Sequence, residues 1–355
     1  MLQIKQFNEK LLPLLAIMTV GTFMFANTPF FFTASATYIE GPITQDTIWT
    51  LTDSPFVVSK NITVCSNATL TIEPGVEVRF GGDFSLIVEG SLSVSGTEDN
   101  VITFTSNKDH PEAGDWNTIR FNGTGVSTLA YCVVQYAKNA TAIENSSVKI
   151  ENCKISTNSL NGITIVNSTV EVKNNEIANN FECGIYVTGD NQVIIQNNTI
   201  KSNADGILLA GNSTSGVSIT ENTVMSNTKS GIHLDADDYS NIVILNNTLS
   251  ANNNGFYVSG QANTYITNNS ISYNTIGIFY EEGADHVACY NDIYGNEYGM
   301  DVSSNTTVNA EHNYWGHESG PYHISLNPTG KGNPVGGDGA NLDFIFFLTA
   351  PIGYI

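Results

Sequence analysis

Residues 174–209 read NNEIANNFECGIYVTGDNQVIIQNNTIKSNADGILL, and two short phrases each occur twice within them. Asn175-Glu176-Ile177 returns as Asn198-Thr199-Ile200, and Gly184-Ile185 returns as Gly206-Ile207. Outward from this stretch, glycine followed by an apolar residue recurs at Gly162-Ile163, Gly231-Ile232, Gly255-Phe256, Gly277-Ile278 and Gly299-Met300. The successive steps are 22, 22, 25, 24, 22 and 22 residues. The Asn phrase keeps the same step at Asn222/Val224, Asn247/Leu249, Asn269/Ile271, Asn291/Ile293 and Asn313/Trp315. A fixed period of this length is the mark of a solenoid.

After each glycine the apolar residues alternate, as in Ile163 and Ile165, Ile185 and Val187, and Ile207 and Leu209. That is strand periodicity with one side facing inward, while helical spacing is absent and Asn and Gly are dense. A repeat of this length holds three short strands and three bends, which is one turn of an all-β, single-stranded parallel β-helix. About eleven coils stacked at about 4.8 Å give a rod on the order of 50 Å long. Upstream, 70–80, 85–94, 101–106 and 116–121 read as strands between Gly, Pro or Asn bends. The expected organisation is a targeting segment over 1–36, capping strands over 37–64, the β-helix over 65–315, and a final coil and cap over 316–355.

The position two before the apolar residue is Asn175, Asn198, Asn222, Asn247, Asn269, Asn291 and Asn313, with Cys153 one step earlier. Asn tolerates a left-handed bend, and its amide can bond to the same amide one coil away. This column is expected to be a buried ladder in a bend. The residue before it varies and is expected to face water. Cys132 and Cys153 fall in the ladder column on adjacent coils. Their Cα spacing admits a disulfide, but parallel in-register side chains rarely offer its dihedral, so stacked free thiols are the expected state. With five cysteines and no CxxC, a metal cluster is not indicated.

Acidic residues outnumber basic ones 34 to 13, for a formal charge of −21. Such a surface repels nucleic acid and anionic lipid. Lys5 and Lys10 precede an apolar run from Leu11 to Phe32 that ends near Ala34-Ser35-Ala36, which reads as a secretory signal or an uncleaved anchor. Membrane association is expected through that segment alone. Eleven N-x-S/T triplets, among them Asn197, Asn246 and Asn268, agree with export, and an Asn- and Thr-rich chain also produces them by chance.

Candidate site residues come from the register. The outward position between the two core residues of each Gly-apolar strand reads Thr164, Tyr186, Leu208, His233, Tyr257, Phe279, Asp301. The next outward column carries Asp235 and Glu281. An aromatic stripe beside carboxylates is a surface on which sugar rings could stack, and aromatic neighbours also stabilise a sheet without any ligand. Asp235 and Glu281 lie two coils apart, about 9.6 Å, near the separation of about 6.5–9.5 Å used by inverting glycosidases. They are the weak catalytic candidates. No cofactor is expected; Asp235, Asp237 and Asp238, in the longest coil, are weak candidates for Ca²⁺, and a solvated acidic turn is the commoner explanation of such a run. The stretch EHNYWGHESGPYH (311–323) is one more repeat with Trp315 in the apolar slot. It is read as a cap in which Trp315 seals the core, in preference to a metal site made of His312, His317 and His323.

The phrases LTIEPGVEVRF (70–80), VITFTSN (101–107), GDWNTIRF (114–121), the repeat itself and NYWGHESGP (313–321) together resemble secreted right-handed parallel β-helix proteins. These are pectate-lyase-like in fold and related to NosD-type periplasmic proteins and carbohydrate-binding and sugar-hydrolase modules. The resemblance implies a right-handed coil and a last turn in which Asp343, Phe344 and the apolar tail cover the core. It leaves function open, since the family holds enzymes, adhesins and surface proteins. The GHG and RIK strings of polygalacturonase-like hydrolases are absent, and Arg79 and Arg120, the two arginines, stand apart from any acidic cluster in the repeat. The expected function is a cell-surface or extracellular protein that binds a glycan or envelope polysaccharide, or serves structurally. The alternatives are a polysaccharide hydrolase or lyase and NosD-like copper handling. Oligomeric state is left open.

Overall fold

A computed structural model describes residues 36–211, 216–235, 242–261, 263–283, 285–337 and 341–354. Apart from Ala36, the expected signal or anchor segment lies outside them. Each repeat forms three short strands, as in Glu176–Ala178, Cys183–Thr188 and Gln192–Gln196. Each strand pairs in parallel with its counterparts one coil away, which builds three sheets of 12, 11 and 13 strands. Ile177 pairs with Ile200, Ile185 with Ile207, and Val193 with Val217, so like positions of the repeat meet. The chain is an all-β right-handed parallel β-helix of about 12 turns.

The inward columns form one continuous core. Ile163, Ile185, Ile207, Ile232, Phe256, Ile278 and Met300 of the second sheet are all fully buried, as are Ile155, Ile177, Ile200, Val224, Leu249, Ile271 and Ile293 of the first. The repeating glycine is required by space. A Cβ on Gly206 would lie 2.5 Å from the Gly231 carbonyl oxygen and 2.5 Å from Val224 Cγ1. The coils approach so closely at this corner that no side chain fits.

The Asn ladder forms as the repeat implies. Asn198 Oδ1 accepts the Asn175 backbone N–H at 2.9 Å and its side-chain amide at 3.0 Å, while Asn198 Nδ2 donates to the Val172 carbonyl at 2.8 Å and to Asn222 Oδ1 at 2.9 Å. All seven ladder Asn are buried. Two features differ from expectation. The left-handed φ falls on the preceding, water-facing residue: Asn174 (58°), Asn197 (54°), Glu221 (61°), Tyr290 (55°) and His312 (57°). The turn happens there so that the next residue can aim its amide inward. A second ladder also runs along the other end of the first sheet, through Asn158, Asn180, Asn203, Asn227, Asn252, Asn274, Asn296 and Asn333, with amide-to-amide bonds of 2.8–3.2 Å. From Glu176–Ala178 to Asp292–Tyr294, each three-residue strand of that sheet is thus flanked by a buried Asn on both sides.

At the N-terminal end Thr37–Ile39 and Thr47–Trp49 are the first strands of two of the sheets. At the other end Trp315 is fully buried, but it is interior rather than terminal. A further coil passes over it, in which Asn333 N–H donates to the Trp315 carbonyl at 2.7 Å, Val335 bridges Met300 and Leu348 bridges Tyr314. Phe344 is buried in that last coil, whereas Asp343 is exposed and does not cover the core.

Candidate functional site

The outer face of the second sheet carries the predicted column in unbroken register: Thr164, Tyr186, Leu208, His233, Tyr257, Phe279 and Asp301 pair in sequence. All are half-buried. Beside it, Ala210 pairs with Asp235. Backbone bonds from Ser259 to Leu234 (3.0 Å) and from Glu281 to Val258 (2.9 Å) continue that second column.

Ring orientation changes what this face offers. The His233 and Tyr257 rings stack at 4.5 Å and 26°, and those of Tyr257 and Phe279 at 5.5 Å and 6°. The rings therefore spend their faces on each other and turn their edges outward, and the expectation of ring faces free for sugar stacking does not hold for Tyr257. Tyr186 stands apart, with Leu208 between it and His233. What the stack presents is polar: Tyr257 donates its hydroxyl to the Glu281 carboxylate, and His233 Nε2 meets Ser259 Oγ at 2.9 Å. Burial, then the bond to Glu281, pushes the Tyr257 phenol up to about 12. Burial lowers the His233 imidazole below its ordinary value, against the opposing pull of Asp205 and Asp235. At neutral pH the face thus pairs an uncharged imidazole and phenol with a carboxylate.

Asp235 and Glu281, the two weak catalytic candidates, stand two coils apart in the second column. Ser259 lies between them, and Glu281 is engaged by Tyr257. Asp301 marks the far end of the face, where its Oδ1 accepts the Val302 N–H at 3.1 Å and Gly336 abuts it. Asp237 and Asp238, proposed with Asp235 for calcium, lie outside the described residues. Sequence reading missed Asp205, which is 5% exposed, holds the Ser230 N–H at 3.0 Å and acts on His233. Its signal was available: it is the carboxylate directly before the repeating glycine.

The histidines near the C-terminus serve separate purposes. His312 stacks between Tyr290 (5.2 Å) and Phe346 (6.5 Å). His317 Nδ1 contacts Ser319 Oγ at 2.9 Å, and buried His323 accepts the Leu326 N–H at 3.0 Å. Among the described residues no three His, Cys, Asp or Glu side chains converge as a metal-binding group. The two arginines are ion-paired, Arg79 to Glu77 and Arg120 to Glu144, each at 2.7 Å.

A repeat of this register, coiled to the right around one apolar core, defines a class, and comparison with known families agrees. The family described as "Right handed beta helix region" matches residues 117–264 and 205–330, and the chain belongs to it. No curated protein matches the sequence. Among solved structures the chain is similar to the A-module of the Azotobacter vinelandii mannuronan C-5 epimerase AlgE6, at 13% identity and a TM-score of 0.55 over 90% of this chain and 91% of that one. It is equally similar to a mutant of the periplasmic alginate epimerase AlgG, at 13% identity and a TM-score of 0.55 over 86% and 84%. At these identities the likeness is one of fold.

Proposed function

We propose that the chain is an exported β-helix protein that binds a neutral polysaccharide along the outer face of its second sheet, between Tyr186 and Asp301. The observation that carries this reading is the stacked His233–Tyr257–Phe279 column with Glu281, Ser259 and Asp235 along its edge. It is a straight row of polar groups at one coil spacing, suited to a chain of hydroxyls. The structural neighbours act on a polysaccharide, which supports a glycan ligand. Charge argues for a neutral one. The protein carries −21 overall and both arginines are occupied, so a polyuronate would meet repulsion. Export rests on the apolar segment 11–32 and the small residues after it.

The test is a glycan array probed with the full chain at moderate salt. Neutral polysaccharides should bind, and uronate polymers should not bind without a divalent cation. Binding to uronates alone, or to no glycan, would overturn the reading. A second reading, turnover of the same ligand, is favoured by one observation: the uncharged imidazole beside a phenol that donates to a carboxylate, a set of groups able to move protons. Reducing-sugar or unsaturated-product release that disappears in Asp235→Asn or Glu281→Gln would establish it in place of simple binding.

A further inference from the structure

The ladder column does not end at Asn175. Cys153 follows it, with its backbone N–H donating to Asn175 Oδ1 at 2.9 Å and its thiol directed at the carbonyls of Glu151 (3.2 Å) and Leu129 (3.4 Å). These are the contacts an Asn amide makes in later coils: the carbonyl two residues back and one in the coil before. Cys132 takes the next position, and beyond it the column becomes apolar at Ile102, its pairing partner. Hydrogen bonding between like side chains therefore stops at a pair of cysteines.

We propose that Cys132 and Cys153 form a modification site, a dithiol that a small-molecule disulfide converts to a covalent link between adjacent coils. The spacing supports closure; the dihedral, which parallel in-register side chains rarely offer, is to be reached by rotation of both side chains. Val133 pairs with Lys154, which sets the two cysteines opposite each other on neighbouring coils. Strand neighbours lie about 4.8 Å apart, inside the usual Cα range of a disulfide, about 4.4–6.8 Å. The two Sγ atoms are already 3.2 Å apart, against a bond length of about 2.05 Å. Closure strands no partner at Glu151, whose carbonyl also accepts the Tyr131 N–H at 3.1 Å. The other three cysteines, Cys65, Cys183 and Cys289, belong to other columns and are free.

The chemistry is thiol–disulfide exchange. One cysteine thiolate attacks the reagent disulfide RSSR, forming a protein–S–SR bond and releasing RS⁻. The second thiolate attacks the protein sulfur of that bond, forming the Cys132–Cys153 link and releasing a second RS⁻. The two thiol protons pass to the released thiolates, so the protein loses two electrons and RSSR becomes two RSH. The site lies at a bend, where the two cysteines, 2% and 3% exposed, line a surface groove together with Tyr131, Asn152, Asn174 and Glu176, and the reagent reaches them through that groove. The bond to Cys153, and burial, hold the Cys132 thiol well above the usual range, so exchange is slow at neutral pH and accelerates as pH rises.

The full chain is incubated folded with oxidised glutathione at pH 8, then unfolded, alkylated and mapped by mass spectrometry. The expected product joins the peptides of Cys132 and Cys153, leaves three of the five thiols to alkylate and raises the thermal midpoint by several degrees, reversibly with dithiothreitol. Cys132→Ser and Cys153→Ser should each abolish the link. Recovery of all five thiols, or a link between any other pair, overturns the proposal, and the wild-type map alone decides it if a variant fails to fold.

Discussion

Asn222 shows what one residue does in this fold. Its Oδ1 accepts two N–H groups of Asn198, and its Nδ2 donates to Ile195, Thr220 and Asn247. Replacement by Ala leaves buried donors and carbonyls of three coils without partners. At about 1–3 kcal/mol for each unmet group, Asn222→Ala should cost about 3–5 kcal/mol in urea unfolding, whereas Asn197→Ala, at an exposed left-handed bend, should cost only about 1–2 kcal/mol. His286 is a second case. It is fully buried, its Nε2 contacts the Glu282 carbonyl at 2.9 Å and its Nδ1 accepts the Thr264 N–H at 3.3 Å. Burial holds this imidazole below its ordinary value of 6.5, against the weaker opposing effects of its bond to Glu282 and of nearby Asp285. The unfolded chain therefore takes up its proton first as pH falls. The stability His286 contributes is complete above about pH 6.5 and is lost as pH drops toward the folded value. Thermal midpoints measured from pH 7.5 to 5 should fall for the wild type, and less steeply for His286→Gln. At this scale the ladder Asn were legible from their period. Which residue takes the left-handed bend was not, because Asn suits both roles and only Glu221, Tyr290 and His312 reveal that the preceding position turns.

From Glu176–Ala178 onward the first-sheet strands are three residues long, too short to hold together by pairing alone, and two amide columns clamp them. The second column was readable as N-x-apolar-x-x-N, for example Asn175, Ile177 and Asn180. It escaped notice because the apolar slot seemed to end the motif. The glycine corner tests the close approach of coils directly. Gly206→Ala should cost about 1–3 kcal/mol by overpacking, and Gly41→Ala, where a Cβ meets nothing within 4 Å, should be nearly neutral. Because each coil contacts chiefly its neighbours, deleting one whole repeat, Asn269–Tyr290, should leave a folded β-rich protein by circular dichroism. Deleting half of it, Asn269–Tyr280, should not, since every later residue would then meet the wrong sheet.

Across the whole molecule the period fixed the columns, and through them the candidate face, before any coordinates. Ring packing was not accessible in the same way. Register says that His233, Tyr257 and Phe279 are neighbours, but side-chain rotation decides whether their faces meet a ligand or one another. The C-terminal end was likewise partly hidden, since the coil that covers Trp315 follows a long loop that breaks the step: Asn333 lies 37 residues beyond Asn296, its neighbour in the second ladder. The ligand face is best tested by comparing two sides of one rod. Affinity for a neutral polysaccharide that binds the wild type should be measured by titration calorimetry for Tyr257→Ala and Glu281→Gln on the second sheet, and for exposed Tyr265→Ala on the third. A loss of tenfold or more confined to the two second-sheet variants, all three proteins remaining folded, is the predicted result. Unchanged binding in those two, or a loss at Tyr265, would contradict the assignment of that face.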